Sequence, residues 1–510
     1  MIRALGLDGR TALGVGCAAA LTAAGLWVAG RSVPLGLGLL LGVPLLVLLA
    51  AGAVRRPVLA VAGFALLLPA GGIQLPLAMN LVQVSAAFAA MIVLAARING
   101  RGRRVGWSPV IAASALLVVS ALLSTLTTFN PSHSLTQCVN YLVGLALAAA
   151  VVAAPERRTD LLVLAMAVVV GGAVLCGSVL TSIPNLQAQY NATVVDNRPT
   201  GTFAQPNELG LCAAMMLCFS LAMAIVTLRR RRRTLSALCA VASVLALTAL
   251  VLSLSRGSWI GAVAGLAVLM VLLRGARRPL LICLTGVGAV VLGLLVAVPA
   301  TSGSPVFAER LSSIFTGERS PYDERPAAWA GAVQQMTQRP LLGSGPAAYQ
   351  AAAAQGLAQS TDVRQVEHAH VLYLTVGAEQ GVLGVAALVT AIGVGSREAL
   401  RNRGVAAGLT SGGHGLRPSS AISVESGVSA AAAAALAAVI AQGTVDYSLR
   451  NPVLGTVTWL LIGLLAACAR TRSAMPGNDD PKGGRNEESD SLDVGRVPPG
   501  TVGKAAGREE

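Results

Sequence analysis

This sequence predicts an all-α, polytopic membrane protein, and three observations carry that prediction. Hydrophobic residues make up 54% of the 510 residues and charged residues 12%, against about 25% charged in an average soluble domain. Mean hydropathy is +0.69. The apolar residues gather in runs of roughly 20, the length that crosses a bilayer as a helix. Arginines cluster in alternate gaps between the runs, the asymmetry of loops held on the cytoplasmic side. The net charge of +15 does not indicate nucleic-acid binding, because these arginines are dispersed among short loops and aromatic residues are scarce.

Taken in order, the runs give spans near 11–29, 34–53, 57–70, 79–96, 108–127, 136–154 and 159–180. After a polar loop come 207–227, 235–253, 257–274 and 279–299, and after a longer one 371–395, 427–446 and 452–469. That is about 14 transmembrane helices, with 57–70 the shortest. An alternative of about 12 requires two of them to drop together. Arg3 and Arg10 ahead of the first run resemble the start of a signal peptide. The run is about 19 residues long and a second span follows almost at once, so an uncleaved first span is expected.

The arginine-rich gaps hold Arg55 and Arg56, Arg97 to Arg104, Arg157 and Arg158, Arg229 to Arg233, Arg274 to Arg278, and Arg397 to Arg417. The opposite gaps hold only Arg31, Arg198, Arg256 and Arg450. Both termini are therefore expected in the cytoplasm, with the chain in the cytoplasmic (inner) membrane. The run Arg229–Arg233 is a topology anchor on this reading, rather than a nucleic-acid or headgroup patch. The chain divides into N-terminal helices (1–180), a core (181–395) that includes an extracytoplasmic loop (300–370), and a Gly/Ser-rich cytoplasmic linker (396–426). C-terminal helices (427–469) and a tail (470–510) follow. The tail is expected to be disordered, since Gly, Pro, Asp, Glu and Ser dominate it and no apolar periodicity survives.

The candidate site centres on Glu367-His368-Ala369-His370, which holds two of the four histidines in the chain. It sits where the long loop meets an apolar helix, a position that suits a general base acting on a membrane-borne substrate. Within the loop, Glu324 to Gln338 has helical spacing and Arg339-Pro340 ends it. Ala347 to Gln359 is expected as an alanine-rich helix. The outer arginines Arg198, ahead of Asn207, and Arg256, in a tight turn, oppose the topology rule. Each is either a snorkelling surface arginine or a fork of donors for phosphate oxygens. Glu379 lies about 13 Å beyond His370 along a helix, a depth at which an ionisable group is a functional candidate or a structural partner. Asp446, Tyr447 and Arg450 precede the last span on the same face. A histidine capping the helix is the plainer alternative for His370. The combination of arginines and imidazole matches transfer from a polyprenyl pyrophosphate donor. No Asp/Glu cluster of metal-binding type lies in the outer loops, so no metal or other cofactor is expected. The eight cysteines are scattered singly, with no CxxC pair, as packing residues are.

At this point the chain resembles the O-antigen ligase and O-antigen polymerase superfamily. The ligase pattern is a histidine, then Asn, Ser or Gln, nine residues, Gly, two residues, and a small residue or Tyr. His370, Gly381 and Gly384 fit that spacing, and Val371 departs from it. Arg198 with Gly201 and Phe203 before Asn207, Ser255-Arg256-Gly257, and Arg325 to Trp329 followed by Pro340 and Gly343-Ser344-Gly345 are also similar. The resemblance implies a glycosyltransferase C-like helical fold with a large extracytoplasmic loop over the site. It implies a metal-independent, inverting glycan ligase or polymerase, taking a glycan from an undecaprenyl-pyrophosphate carrier to an acceptor hydroxyl on a glycan or lipid. His370 would be the base, Arg198, Arg256 and Arg325 would hold the pyrophosphate, and His368, Glu379, Asn207 and Asp446 would support them. The competing expectations are a small-solute transporter, which calls for an internal repeat and midplane charges, and a non-catalytic glycan-export component.

Overall fold

The computed structural model describes residues 53–73, 80–100, 108–185, 190–191, 194–195, 198–274, parts of 277–293, 324–358, 366–403 and 422–473. The helices in chain order are α1 (Val58–Leu66), α2 (Leu81–Ile98), α3 (Pro109–Ser124), α4 (Pro131–Ala153) and α5 (Arg158–Gly177). Then come α6 (Pro206–Arg229), α7 (Arg233–Leu252), α8 (Arg256–Leu272), α9 (Arg325–Gln338), α10 (Tyr349–Ala352), α11 (Leu372–Asn402), α12 (Val424–Gln442) and α13 (Pro452–Ser473). Among the described residues, nine helices are long and apolar enough to cross a membrane. The chain is a multi-pass membrane protein.

The nine correspond to nine of the expected spans. The run at 57–70 instead forms the nine-residue α1 followed by a 3-10 turn, Leu68–Gly72. The run at 257–274 forms α8, of 17 residues. The runs at 11–29, 34–53 and 279–299 lie wholly or mostly outside the described residues, as do most of the linker, the start of the long loop and the tail. Helix α11 runs on to Asn402 before the linker begins.

The starts of these helices follow from local chemistry. Proline stands at the first helical position of α3, α4, α6 and α13, where its missing N–H costs nothing. Ser108, Asn130 and Ser423 cap the first turns of α3, α4 and α12 with side-chain oxygens. Asn80 and Gln83 form a capping box at α2. Helix α6 is the centre of the bundle, with its span wholly buried. It packs against α7, α8 and α12. Alanines of α12 let the backbones come close: a Cβ on Gly261 of α8 would meet the carbonyl of Ala438.

Two features outside the spans position the site. A three-stranded antiparallel sheet, β1 (Tyr190–Asn191), β2 (Val194–Val195) and β3 (Arg198–Pro199), pairs Val195 with Arg198 and delivers that arginine to the start of α6. The turn 340–348 joins α9 to α10 and seats on a break in α11. Gly381 breaks that helix, with φ +64° and ψ −161°. The break frees Val382 N–H to donate to Pro340 O at 2.8 Å, while Ser344 and Gly345 N–H donate to Ala378 and Glu379 carbonyls. A Cβ on Gly381 would strike the Leu341 carbonyl. The corner between α3 and α4 holds the turn from the other side, through Ser124 to Leu342 O, Thr127 to Gly343 O and Ser134 to Pro346 O. The expected helix at 347–359 is short: α10 gives way to a π turn that ends near Gly356, φ +94°.

Candidate functional site

His370 ends the loop and is the second residue before α11. Its φ is +53°, a left-handed conformation that costs a non-glycine residue about 1–2 kcal/mol. His368 explains how it is held: its buried ring accepts the His370 backbone N–H on Nδ1 at 3.1 Å. The two rings meet edge to face at 4.5 Å, and Tyr447 packs on the other side of His368 at 5.5 Å. Burial, with His370 and Arg450 nearby, pushes the His368 imidazole down to about 3, so it is neutral at any physiological pH. His368 therefore shapes the loop and does not itself exchange protons. The Leu372 N–H bond to Gly443 O, 2.8 Å, anchors the same segment to the end of α12.

The His370 side chain is 30% exposed, and its Nδ1 faces Asp446 Oδ1 at 3.9 Å. Asp446 is buried and fixed from behind. Ser448 donates to its Oδ2 at 2.9 Å, and Gln442 donates to Ser448 at 3.1 Å. Burial pushes the Asp446 carboxyl up, but His370, the Ser448 hydroxyl and the Arg325 charge outweigh it and hold it below the usual carboxylate range. A carboxylate behind Nδ1 leaves Nε2 as the nitrogen available to a substrate. This is the orienting arrangement of a general base backed by an acid. Val371, the departure from the family spacing, is buried. Orientation of the histidine falls to Asp446 and His368.

The arginines divide into two groups. Arg325, the first residue of α9, lies close enough to Asp446 for its charge to act on it. Arg450 pairs with Glu367 at the rim and tethers the histidine loop to the turn before α13. Arg198 is buried and engaged: Nε and one terminal nitrogen donate to Ser253 O at 2.8 and 2.6 Å, and that nitrogen also reaches Asn207 Oδ1 at 3.0 Å. It pins the turn that carries Arg256. Arg256 itself is exposed at the head of α8. That turn abuts the Asp446 loop, since a Cβ on Gly257 would run into Val445. A polar relay joins the halves, from Ser255 through Ser258 and Gln442 to Ser448 and Asp446. Gln442 donates to Ser258 at 3.5 Å.

Glu379 stands apart. It is buried in α11, and the backbone N–H groups of Ala347 and Tyr349 bond to it. Ala347 adopts φ +55°, and the intervening Ala348 N–H turns back to Gly345 O at 3.1 Å. Glu379 clamps the loop turn to the bundle, the structural option for a buried carboxyl group.

Below the histidines, an apolar cavity of about 490 Å³ descends between α3, α8, α11, α12 and α13. Tyr141, Gln380 and Tyr447 supply polar groups at its upper end, and Leu400 and Leu465 line its far end. Helix α11 borders it from Leu372 to Leu400, about 40 Å at 1.5 Å per residue. The cavity and the relay through Ser258, Gln442 and Ser448 were not legible in the sequence, because their residues are ordinary helix and turn residues until the bundle packs.

Residues 241–389 match the family model described as O-antigen ligase. No curated protein matches the chain. The matched segment holds Arg256, Arg325, His370, Glu379 and Gly381, while Arg198, Asn207 and Asp446 lie outside it. The match supports the resemblance to the O-antigen ligase superfamily noted in the sequence.

Proposed function

From a chain that carries the O-antigen ligase family segment over residues 241–389, we infer a metal-independent, inverting glycosyltransferase of the ligase or polymerase type. It takes a glycan from an undecaprenyl-pyrophosphate carrier to an acceptor hydroxyl at the extracytoplasmic face of the cytoplasmic membrane. The observation that carries this reading is the pair His370–Asp446, with the histidine partly exposed, close in the chain to residues (Leu372 and Tyr447) that line an apolar cavity. A base with a carboxylate behind it suits proton removal from a hydroxyl. A cavity lined by hydrocarbon suits a polyprenyl tail and not a hydrophilic solute, which counts against the transporter.

The reaction proceeds as one displacement. His370 Nε2 takes the proton from the acceptor hydroxyl as its oxygen bonds to the anomeric carbon. The bond from that carbon to the pyrophosphate oxygen breaks on the opposite face, inverting the centre, and the carrier leaves with the electron pair. Asp446 stabilises the imidazolium that forms. Arg256 and Arg325 carry charge to the departing pyrophosphate. Arg198, with Asn207, acts one step back, by holding the Arg256 turn.

The test uses purified protein and a synthetic polyprenyl pyrophosphate–glycan donor, with transfer and released carrier both measured. His370→Ala is expected to abolish transfer while the protein remains folded and in the membrane fraction. Ala437→Phe, which fills the cavity, is expected to raise KM for long-chain donors and spare kcat with a short-chain donor. Normal transfer by His370→Ala sinks the mechanism.

A further inference from the structure

A second pocket lies at the other end of the bundle. Helix α4 begins beside the loop turn at Ser134 and ends at Ala153. At 1.5 Å per residue its far end is about 34 Å from the His370 end, close to one membrane thickness. There a pocket of about 100 Å³ opens between the start of α1 and the start of α5, with Arg55, Arg56 and Arg157 around it. Glu156 and Asp160 also line it. Asp160 is committed to its own backbone: its Oδ2 accepts the N–H groups of Glu156 and Arg157, both at 2.9 Å. Glu156 is exposed.

The three guanidinium groups are in neither an ion pair nor a hydrogen bond among the described residues. Cations needed only to hold a loop on one side of the membrane have no reason to surround a recess. The cluster Arg229–Arg233 at the next loop is exposed throughout, and none of its residues lines this recess. A recess with three arginines at the end of two apolar spans meets the requirements for a phosphate oxygen cluster at headgroup depth. Each forked donor set matches tetrahedral oxygen acceptors. Pro57 and Val58 give the recess an apolar wall against which the first carbons of an acyl glycerol would lie.

We propose that the Arg55–Arg56–Arg157 pocket binds the phosphodiester headgroup of an anionic phospholipid in the leaflet opposite the His370 site. This rests on none of the catalytic residues, so it stands or falls apart from the transfer reaction.

The experiment is native mass spectrometry and lipid titration on full-length protein in phosphatidylcholine nanodiscs doped with phosphatidylglycerol. Each arginine is expected to contribute about fivefold to retention. The triple variant R55Q/R56Q/R157Q should therefore retain phosphatidylglycerol about 100-fold less well than wild type, with an unchanged elution volume on size exclusion. The comparison variant R232Q/R233Q should leave retention within twofold. Equal retention by the triple variant overturns the proposal. An equal loss in R232Q/R233Q also overturns it, because general surface charge would then account for the binding. Inorganic phosphate displacing the lipid at matched concentration points to a free-anion site and overturns the lipid assignment.

Discussion

Replacing Asp446 by Asn leaves the shape of the site and removes one charge. In the structure that charge faces a histidine at 3.9 Å. In the proposed mechanism the histidine becomes an imidazolium during proton transfer, and only then does the full attraction act. At 3.9 Å two unit charges interact by about 4 kcal/mol at an effective dielectric of about 20, and by about 1 kcal/mol in water. The His370 side chain is 30% exposed, so a value of about 2–3 kcal/mol is appropriate. Because the term appears in the transition state and not on binding, it falls on kcat. Asp446→Asn is expected to lower kcat about 30- to 150-fold, with KM for the polyprenyl donor within about twofold of wild type. The assay is steady-state transfer from a synthetic donor, run alongside His370→Ala and the double variant. The double variant should be no slower than His370→Ala alone, since Asp446 acts through the imidazole. Independent, multiplying losses would refute the pairing, as would a wild-type kcat in Asp446→Asn.

Gly381→Ala puts a Cβ into the Leu341 carbonyl at φ +64°, and is expected to cost about 2–3 kcal/mol in unfolding experiments in detergent. Gly63→Ala, in α1 with no atom within 4 Å of the new Cβ, should be neutral or stabilising by up to about 1 kcal/mol. His368 gives a pH dependence: its folded imidazole titrates near 3, while in the unfolded chain it titrates near 6.5. The unfolded state therefore binds more protons between these values, and stability is full above about pH 6.5 and lost as pH falls, by about 2 kcal/mol at pH 5. The depressed Asp446 carboxyl adds a loss of the same sign at lower pH. Thermal melts from pH 7.5 to 5 check this, and His368→Gln, which keeps an acceptor for the His370 N–H, should flatten the curve. Glu367→Ala and Arg450→Ala should couple by less than about 1 kcal/mol in a double-mutant cycle, because the Glu367 side chain is largely exposed and the Arg450 side chain partly so.

The spans were legible because a membrane helix satisfies its backbone within itself, so apolar length and flanking charge are local signals. Nine runs appear as helices of the expected length among the described residues, and prolines and caps mark several of their starts. The spacing from His370 to Gly381 was also local, and the break in α11 gives it a physical meaning. The glycine seats the 340–348 turn on the helix that carries the histidine.

What no stretch of sequence contains is which side chains meet. Asp446 acquires its role only because the end of α12 is bonded to the start of α11 at Leu372 and Gly443. Arg198 is turned from a candidate phosphate hand into the pin of the Arg256 turn by a carbonyl, Ser253 O, that lies far along the chain. Glu379 becomes a clamp because two loop N–H groups point at it. The apolar cavity exists only between packed helices. Hydropathy and capping depend on neighbours in the chain, whereas charge pairing and enclosed volume depend on neighbours in space. The histidine and its helix were therefore written in order along the chain, and its carboxylate partner was assigned by the packing of the bundle.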